Sequence, residues 1–511
     1  MRRRVTMGLL FYPRGGSAQV IRYLARGLEK AGWSTRLACG SLGEAGERTH
    51  AESFFSALDV TTADYRAAVQ AAGAGLDPMT LAVPMHPSYE DRPGAADRLL
   101  ASVSPELGEH LASTWEPLIG AAAADPEPEV LHLHHLTPIH EAASRVLPGL
   151  PMVTHLHGTE LKMIDRAELL RDVAYGLGTD LAGMASAAES GTLPPAEEVP
   201  EESRELYAAT RWPSWRHGDH WLSEMRRWAG ASDSLIVISP HDQGEVGRLL
   251  GLDPSRATWI PNGVDLERFD RAELSVAQRL EHWRDWLVKD PQGWREGAEP
   301  GSVVYSEADL ERFVDPDTGD AAPVLLFVGR FTEVKRIPLL VRAYAHAKEK
   351  FVRPAPLVIW GGFPGEWEGE HPHTVVEREG IEDVFFLGWR GHSQLGEGLA
   401  CSDVMVMPSI AESFGQVFVE AMACAVPVIA ANAGGPPSFI NIDAARPNGW
   451  LVEPDSLESL AAALVEAVNG PEARAERAAN GYEVTRRDYS WTTLAERTAA
   501  VYDEAIEAAR S

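Results

Sequence analysis

Cysteine is scarce. Cys39, Cys401 and Cys424 are the only three; they lie far apart and none belongs to a C-x-x-C pair. That excludes a disulfide framework and a thiolate zinc site, and it fits a reducing compartment. Long apolar runs are lacking too, since no stretch reaches the roughly 20 residues a membrane span needs. Arg2-Arg3-Arg4 before an apolar 5–12 imitates a secretory leader, but Pro13-Arg14 ends the run and no small-residue cleavage site follows. A buried first strand is the better reading, and a cytoplasmic location is expected. Basic residues are outnumbered, 46 against 75, for a net charge of −29. Such a chain is repelled by polyanions, which excludes nucleic acid as a partner and argues against membrane association. No G-x-G-x-x-G, no H-E-x-x-H and no repeat of fixed period is present.

What is present is length and rhythm. At 511 residues the chain exceeds one hydrophobic core, so two domains are expected. Short apolar runs at 5–12, 33–39, 130–134, 152–157, 235–239 and 258–260 alternate with helical patterns. The pattern restarts at 324–328 and continues through 357–360, 384–387, 404–407 and 426–430. Alternation of this kind predicts parallel βαβ units, and its restart predicts two tandem Rossmann-like, doubly wound α/β domains. The expected division is an N-terminal domain over 1–270, a polar linker or insertion over 271–322, a C-terminal domain over 323–488, and a closing segment over 489–511. Segments 41–125 and 161–215 are insertions in the first domain. The former is expected to contain helices, and the acidic stretch 194–202 reads as a mobile loop or lid.

Several residues suit phosphate or sugar chemistry. Gly15 and Gly16 stand between the first strand and first helix, where a backbone can approach a phosphate. Arg330 and Lys335 follow the first strand of the second half, at a site suited to a diphosphate. A helix dipole would disfavour these two cations there unless an anion were bound. The stretch Ala411-Glu412-Ser413-Phe414-Gly415-Gln416 follows another strand and opens a helix, so its N–H groups can face an anion. Glu412 can accept from sugar hydroxyls and Glu420 from ribose hydroxyls. Alternatively each is a solvated or dipole-favoured charge.

Histidines at 132, 134, 135, 140, 155 and 157 invite a metal, and alternation puts His132 with His134, and His155 with His157, on shared strand faces. No matched carboxylate spacing accompanies them, so no metal is assigned. Asp315-Pro316-Asp317 reads as a turn.

With these residues in view, the chain resembles the family 4 glycosyltransferases, retaining enzymes of the GT-B architecture whose two domains face across a cleft. The resemblance rests on Gly329-Arg330 with Lys335, on Glu412-x7-Glu420, and on Pro427-Val428-Ile429-Ala430. In the first half it rests on Gly15-Gly16, His157-Gly158-Thr159 and Pro261-Asn262-Gly263-Val264-Asp265. The tail from Tyr489-Ser490-Trp491 looks like the family's helix that crosses back to the first domain.

The resemblance implies a metal-independent hexosyl transfer with no cofactor beyond a nucleotide-diphosphate sugar as co-substrate. Arg330 and Lys335 would then neutralise the diphosphate, while amides near Gly15 and Gly16, and at Ser413, Phe414 and Gly415, hold oxygens. Glu412 would bind the donor sugar, Glu420 the ribose, His157 the sugar near its reacting carbon, and Trp389 or Arg390 the base. Gln416 and Ala425 depart from the family pattern, the latter where glycine is frequent. The expected acceptor is a small soluble molecule offering a hydroxyl. The alternatives are a sugar-nucleotide epimerase or phosphorylase-like enzyme, or a non-catalytic sugar-nucleotide-binding protein.

Overall fold

The computed structural model describes residues 2–92, 94–365, 367–443 and 445–510. Two compact units emerge: Met1–Pro261 with Trp491–Ser511, and Asn262–Ser490. The first division thus falls before residue 270, and segment 271–322 belongs to the second unit instead of lying between the two.

The first unit is built on a seven-stranded sheet of β1 (Arg3–Leu9), β2 (Trp33–Ser41), β3 (Asp59–Asp64), β4 (Val130–His134), β5 (Met152–His155), β6 (Ser234–Val237) and β7 (Ala257–Trp259). Their order is β3-β2-β1-β4-β5-β6-β7, every pairing parallel. Continuous burial from Val5 to Leu9 in β1 and along the whole of β4 is what a sheet covered on both faces demands. The helix Gly15–Lys30 buries Ala18, Ile21, Ala25 and Leu28, the three-to-four spacing of a single apolar stripe. The closing helix, Trp491–Arg510, packs on it through Leu494, Ala495, Val501 and Tyr502.

In the second unit six strands follow the same logic: β8 (Leu325–Gly329), β9 (Leu357–Gly361), β10 (Val384–Gly388), β11 (Val404–Met407), β12 (Val428–Ala431) and β13 (Gly449–Val452). Their order is β10-β9-β8-β11-β12-β13, again all parallel. Two tandem doubly wound domains are therefore present. In each sheet the strand order reverses once, between β1 and β4 and between β8 and β11. Ligands of such sheets bind outside the carboxyl ends of the strands at that reversal.

The interruptions in the rhythm are folded. Segment 41–125 carries β3 and the helices Arg66–Gly73 and Pro105–Ala122. Segment 161–215 is largely helical, with Thr159–Gly176 and Leu181–Ser190. The acidic stretch expected as a mobile lid forms two 3₁₀ turns anchored by buried Val199 and by the Tyr207 hydroxyl, which donates to Pro194 O. Segment 271–322 buries Trp283, Trp286 and Trp294 against Phe313, Trp360 and Phe331. Asp315 accepts from the Asp317 N–H, the turn expected there. Among the described residues no helix is long and apolar enough to cross a membrane.

Candidate functional site

In the second unit the chain leaves β8 at Gly329, carries Arg330 exposed, and tightens into a 3₁₀ turn at Glu333–Lys335. The Lys335 side chain runs back over the sheet to the end of β11. There its Nζ forms an ion pair with Glu412 and lies 3.8 Å from the Met407 sulfur. Lysine and carboxylate thus meet at the strand-order reversal, each largely shielded from solvent.

The loop holding Glu412 is pressed against the turn after β12. The Gly435 N–H donates to Glu412 O at 2.8 Å, and a side chain at Gly434 or Gly435 would overlap the backbone of Glu412 or Ser413. Those two glycines let the loops touch, which fixes the direction of Glu412. Phe414 is buried against Phe439 and Tyr489, while Ser413 is half-buried. Gly415, at φ +90°, precedes the helix Gln416–Ala423, whose start has no side-chain cap, so its first N–H groups remain anion-ready. One turn on, Glu420 is buried and accepts from His392 Nε2 at 3.0 Å. The Gln416 amide donates to Gly263 O.

Trp389 and Arg390, the expected base contacts, diverge. Trp389 is half exposed. Arg390 is turned away: its guanidinium donates to Asp290 Oδ2 at 2.9 Å and to Trp286 O at 2.8 Å, both in segment 271–322. Burial lowers its pKa, and Asp290 offsets part of that penalty. Arg390 therefore clamps the insertion to the end of β10.

In the first unit Gly15, at φ +73°, and Gly16 begin the first helix, and a side-chain carbon at either would meet nothing within 4 Å. Beside them Arg14 is tied to Tyr12 Oη and to buried Asp97, both at 2.7 Å.

His157 follows β5. Its ring pairs through Nε2 with His134 Nδ1 at 2.9 Å, and its backbone N–H donates to Glu160 Oε1 at 2.8 Å. Burial, reinforced by the neighbouring imidazoles, holds the His157 pKa far below the usual value, so the ring is neutral at neutral pH. Glu160 is fully buried in the first turn of its helix. Burial opposes its ionisation, yet His135 at 3.2 Å and the His157 N–H outweigh that and keep its pKa low.

Glu160, His392 and Asp242 were not singled out in the sequence. Glu160 had a legible signal, a carboxylate three residues after His157 at a helix start. His392 had none, because its pairing with Glu420 depends on how two loops fold. Asp242 lies in the first turn of the helix Pro240–Leu250, where burial, resisted by Ser239 and aided by Glu160, raises its carboxyl to about 6.

Comparison with known proteins extends this geometry. Residues 14–268 match the family described as Glycosyltransferase Family 4, and residues 311–484 match Glycosyl transferases group 1. D-inositol 3-phosphate glycosyltransferase 2 of Catenulispora acidiphila is 32% identical over 287 residues, 55% of this chain and 58% of that protein. The D-inositol 3-phosphate glycosyltransferase of Kineococcus radiotolerans is 32% identical over 291 residues, 54% and 58% of the two chains. The match thus spans less than two thirds of those relatives.

Among solved structures, sucrose-phosphate synthase of Thermosynechococcus elongatus superposes with a TM-score of 0.58 at 18% identity, covering 99% of this chain and 100% of that one. Anabaena Alr3699/HepE in complex with UDP and glucose gives 0.57 at 16%, covering 98% and 99%. At such identities the likeness concerns the fold.

Proposed function

The chain belongs to the family 4 glycosyltransferases, with the two-sheet GT-B fold, and from that premise we propose that it moves a hexosyl group from a nucleotide-diphosphate sugar to a hydroxyl of a small soluble acceptor in the cytoplasm, with retention of anomeric configuration. The observation that carries the reading is the Lys335–Glu412 pair at the β8–β11 reversal, beside an uncapped helix start.

Transfer breaks the bond between the anomeric carbon and the diphosphate oxygen and forms one to the acceptor oxygen. The leaving diphosphate gains negative charge, so catalysis consists in meeting that charge with fixed donors. Lys335, Arg330 and the N–H groups after Gly415 supply them. The acceptor proton passes to the departing phosphate, so no side-chain base is required. On donor binding Lys335 exchanges the Glu412 carboxylate for phosphate, and Glu412 becomes free to accept from sugar hydroxyls. Glu420 receives the ribose, and Trp389 lies near the base. Neutral His157, oriented by His134 and Glu160, offers the sugar a hydrogen bond without adding charge. Because relatives are named for inositol 3-phosphate, sugar and cyclitol phosphates head the acceptor panel.

A thermal-shift screen with UDP, GDP, ADP and their sugars, beside Lys335→Ala, tests the donor half. A ligand at 100 times its dissociation constant adds about 2.7 kcal/mol to stability, and the variant should lose most of that response. Proton NMR of the product's anomeric centre tests retention. Absence of any nucleotide response in the wild type, or an inverted product, would overturn the corresponding half of the proposal.

A further inference from the structure

The strand β4 carries His-Leu-His where its neighbours in the same layer carry valine, methionine or isoleucine. Alternation places His132 and His134 on one face. Parallel pairing with β5 sets His155 directly beside His134. That face also holds Val5, Met7, Val153 and Ile236 and is covered by the closing helix through Tyr502. Three imidazoles therefore occupy an apolar layer, all nine-tenths buried or more.

Their hydrogen bonding is incomplete. His132 Nδ1 meets the Tyr502 hydroxyl at 2.5 Å, and His134 Nδ1 meets His157 Nε2 at 2.9 Å. The opposite atoms, His132 Nε2 and His134 Nε2, have no protein partner, nor does either ring nitrogen of His155. One ring nitrogen from each residue lies within 4.8 Å of the other two. A neutral imidazole carries one N–H and one lone pair. When Nδ1–H of His132 and of His134 donates to those partners, their Nε2 lone pairs are left unused, and His155 keeps two nitrogens without a partner. Histidine ligands of metals show this division, one nitrogen on the ion and the other N–H donated to a partner.

We propose that His132, His134 and His155 form a binding site for one late first-row divalent cation, for which Zn²⁺ is the probe. Three neutral nitrogens, with no carboxylate or thiolate among them, favour zinc, cobalt, nickel or copper over magnesium or calcium. The rings stack at 4.5–5.6 Å with interplanar angles of 7–26°. Tetrahedral Zn–N bonds of about 2.0–2.1 Å would bring the donor atoms to about 3.3 Å apart, so binding requires the rings to tilt toward one another. Such an ion stands apart from the transfer chemistry. By fixing His134 as an Nδ1–H donor it makes His157 Nε2 the acceptor and leaves the His157 proton on Nδ1, so the ion positions His157 and does not touch the reacting atoms.

The test uses the full chain, produced with zinc supplied, dialysed against a chelator, and assayed for metal by mass spectrometry. The expected result is one retained ion per wild-type chain and none in His155→Phe, which keeps an aromatic ring in the stack but no ligand. Cobalt-loaded wild type should show the intense visible bands of a tetrahedral nitrogen site, and this arm needs no variant to fold. Metal content equal in wild type and variant, or cobalt bands of weak octahedral character, would overturn the proposal and assign the free nitrogens to ordered water.

Discussion

Lys335 and Glu412 stand 77 residues apart in the chain and form an ion pair over the carboxyl end of the second sheet. Both side chains are mostly shielded, so each offsets the desolvation of the other, and the loss of one leaves an uncompensated charge. The pair also keeps an acidic protein from presenting a bare carboxylate to an anionic donor.

Lys335→Ala is therefore expected to lower kcat by about 10²–10³, as removal of one charged transition-state donor does elsewhere. Glu412→Gln keeps an acceptor oxygen and should cost less, about 10–10²-fold, equivalent to one charged hydrogen bond. Steady-state rates with the matched donor check both, beside thermal unfolding of the same proteins. If activity falls only in proportion to lost folded protein, the pair is structural and the catalytic reading fails.

Most of the scaffold was legible because buried parallel strands are written as short, mainly apolar runs, and eleven such runs correspond to strands here. The two that escaped show why. β3, Asp-Val-Thr-Thr-Ala-Asp, is an edge strand with polar positions, and β13, Gly-Trp-Leu-Val, is an edge strand of the second sheet that opens on glycine. The meeting of Lys335 with Glu412 was legible from type and spacing, since the loop carrying Glu412 does bring it to Lys335. Arg390 was not, since the residues that capture it, Asp290 and Trp286, lie 100 and 104 positions away in a segment with no periodic signal. The stacked histidines were visible as a list but not as a cluster. Only strand order makes β4 and β5 neighbours.

Asp242 carries a pH dependence with a definite sign. Burial raises its carboxyl from 3.8 to about 6. A group with a raised folded-state pKa contributes its stability at low pH and loses it as pH climbs through the folded value. Above about pH 6 the buried charge should thus cost on the order of 2–3 kcal/mol. Asp242→Asn should be more stable than wild type near pH 7.5 and no more stable near pH 4, measured by urea unfolding. A difference independent of pH would assign the effect to packing.

Ala425 is a local conflict written into the backbone. It follows the helix Gln416–Ala423 at φ +59°, a region where a Cβ crowds the following carbonyl at a cost of about 1–2 kcal/mol. Glycine removes that strain but adds about 0.5–1 kcal/mol of unfolded-state entropy. Ala425→Gly should therefore stabilise the protein by about 0.5–1 kcal/mol and leave turnover unchanged. Destabilisation would show that the methyl group's packing outweighs the strain.

Gly27 poses the opposite case, and the sign of the effect decides it. It sits inside the helix Gly15–Lys30, where alanine is intrinsically better by about 1 kcal/mol. Were the closing helix loosely attached, Gly27→Ala would stabilise the protein by that amount. The structure instead places a new Cβ 2.5 Å from the Trp491 carbonyl oxygen and 2.7 Å from the Ala495 Cβ. A helix backbone cannot yield as a flexible side chain does, so the two helices must separate, at about 1–3 kcal/mol by analogy with overpacked cores. Gly27→Ala is accordingly expected to lower Tm. It should also disturb the stacking of Tyr23 on Trp491, whose ring centroids lie 6.0 Å apart, which near-ultraviolet circular dichroism can follow. A rise in Tm with an unchanged spectrum would mean that the closing helix is held by its ends and not by this contact.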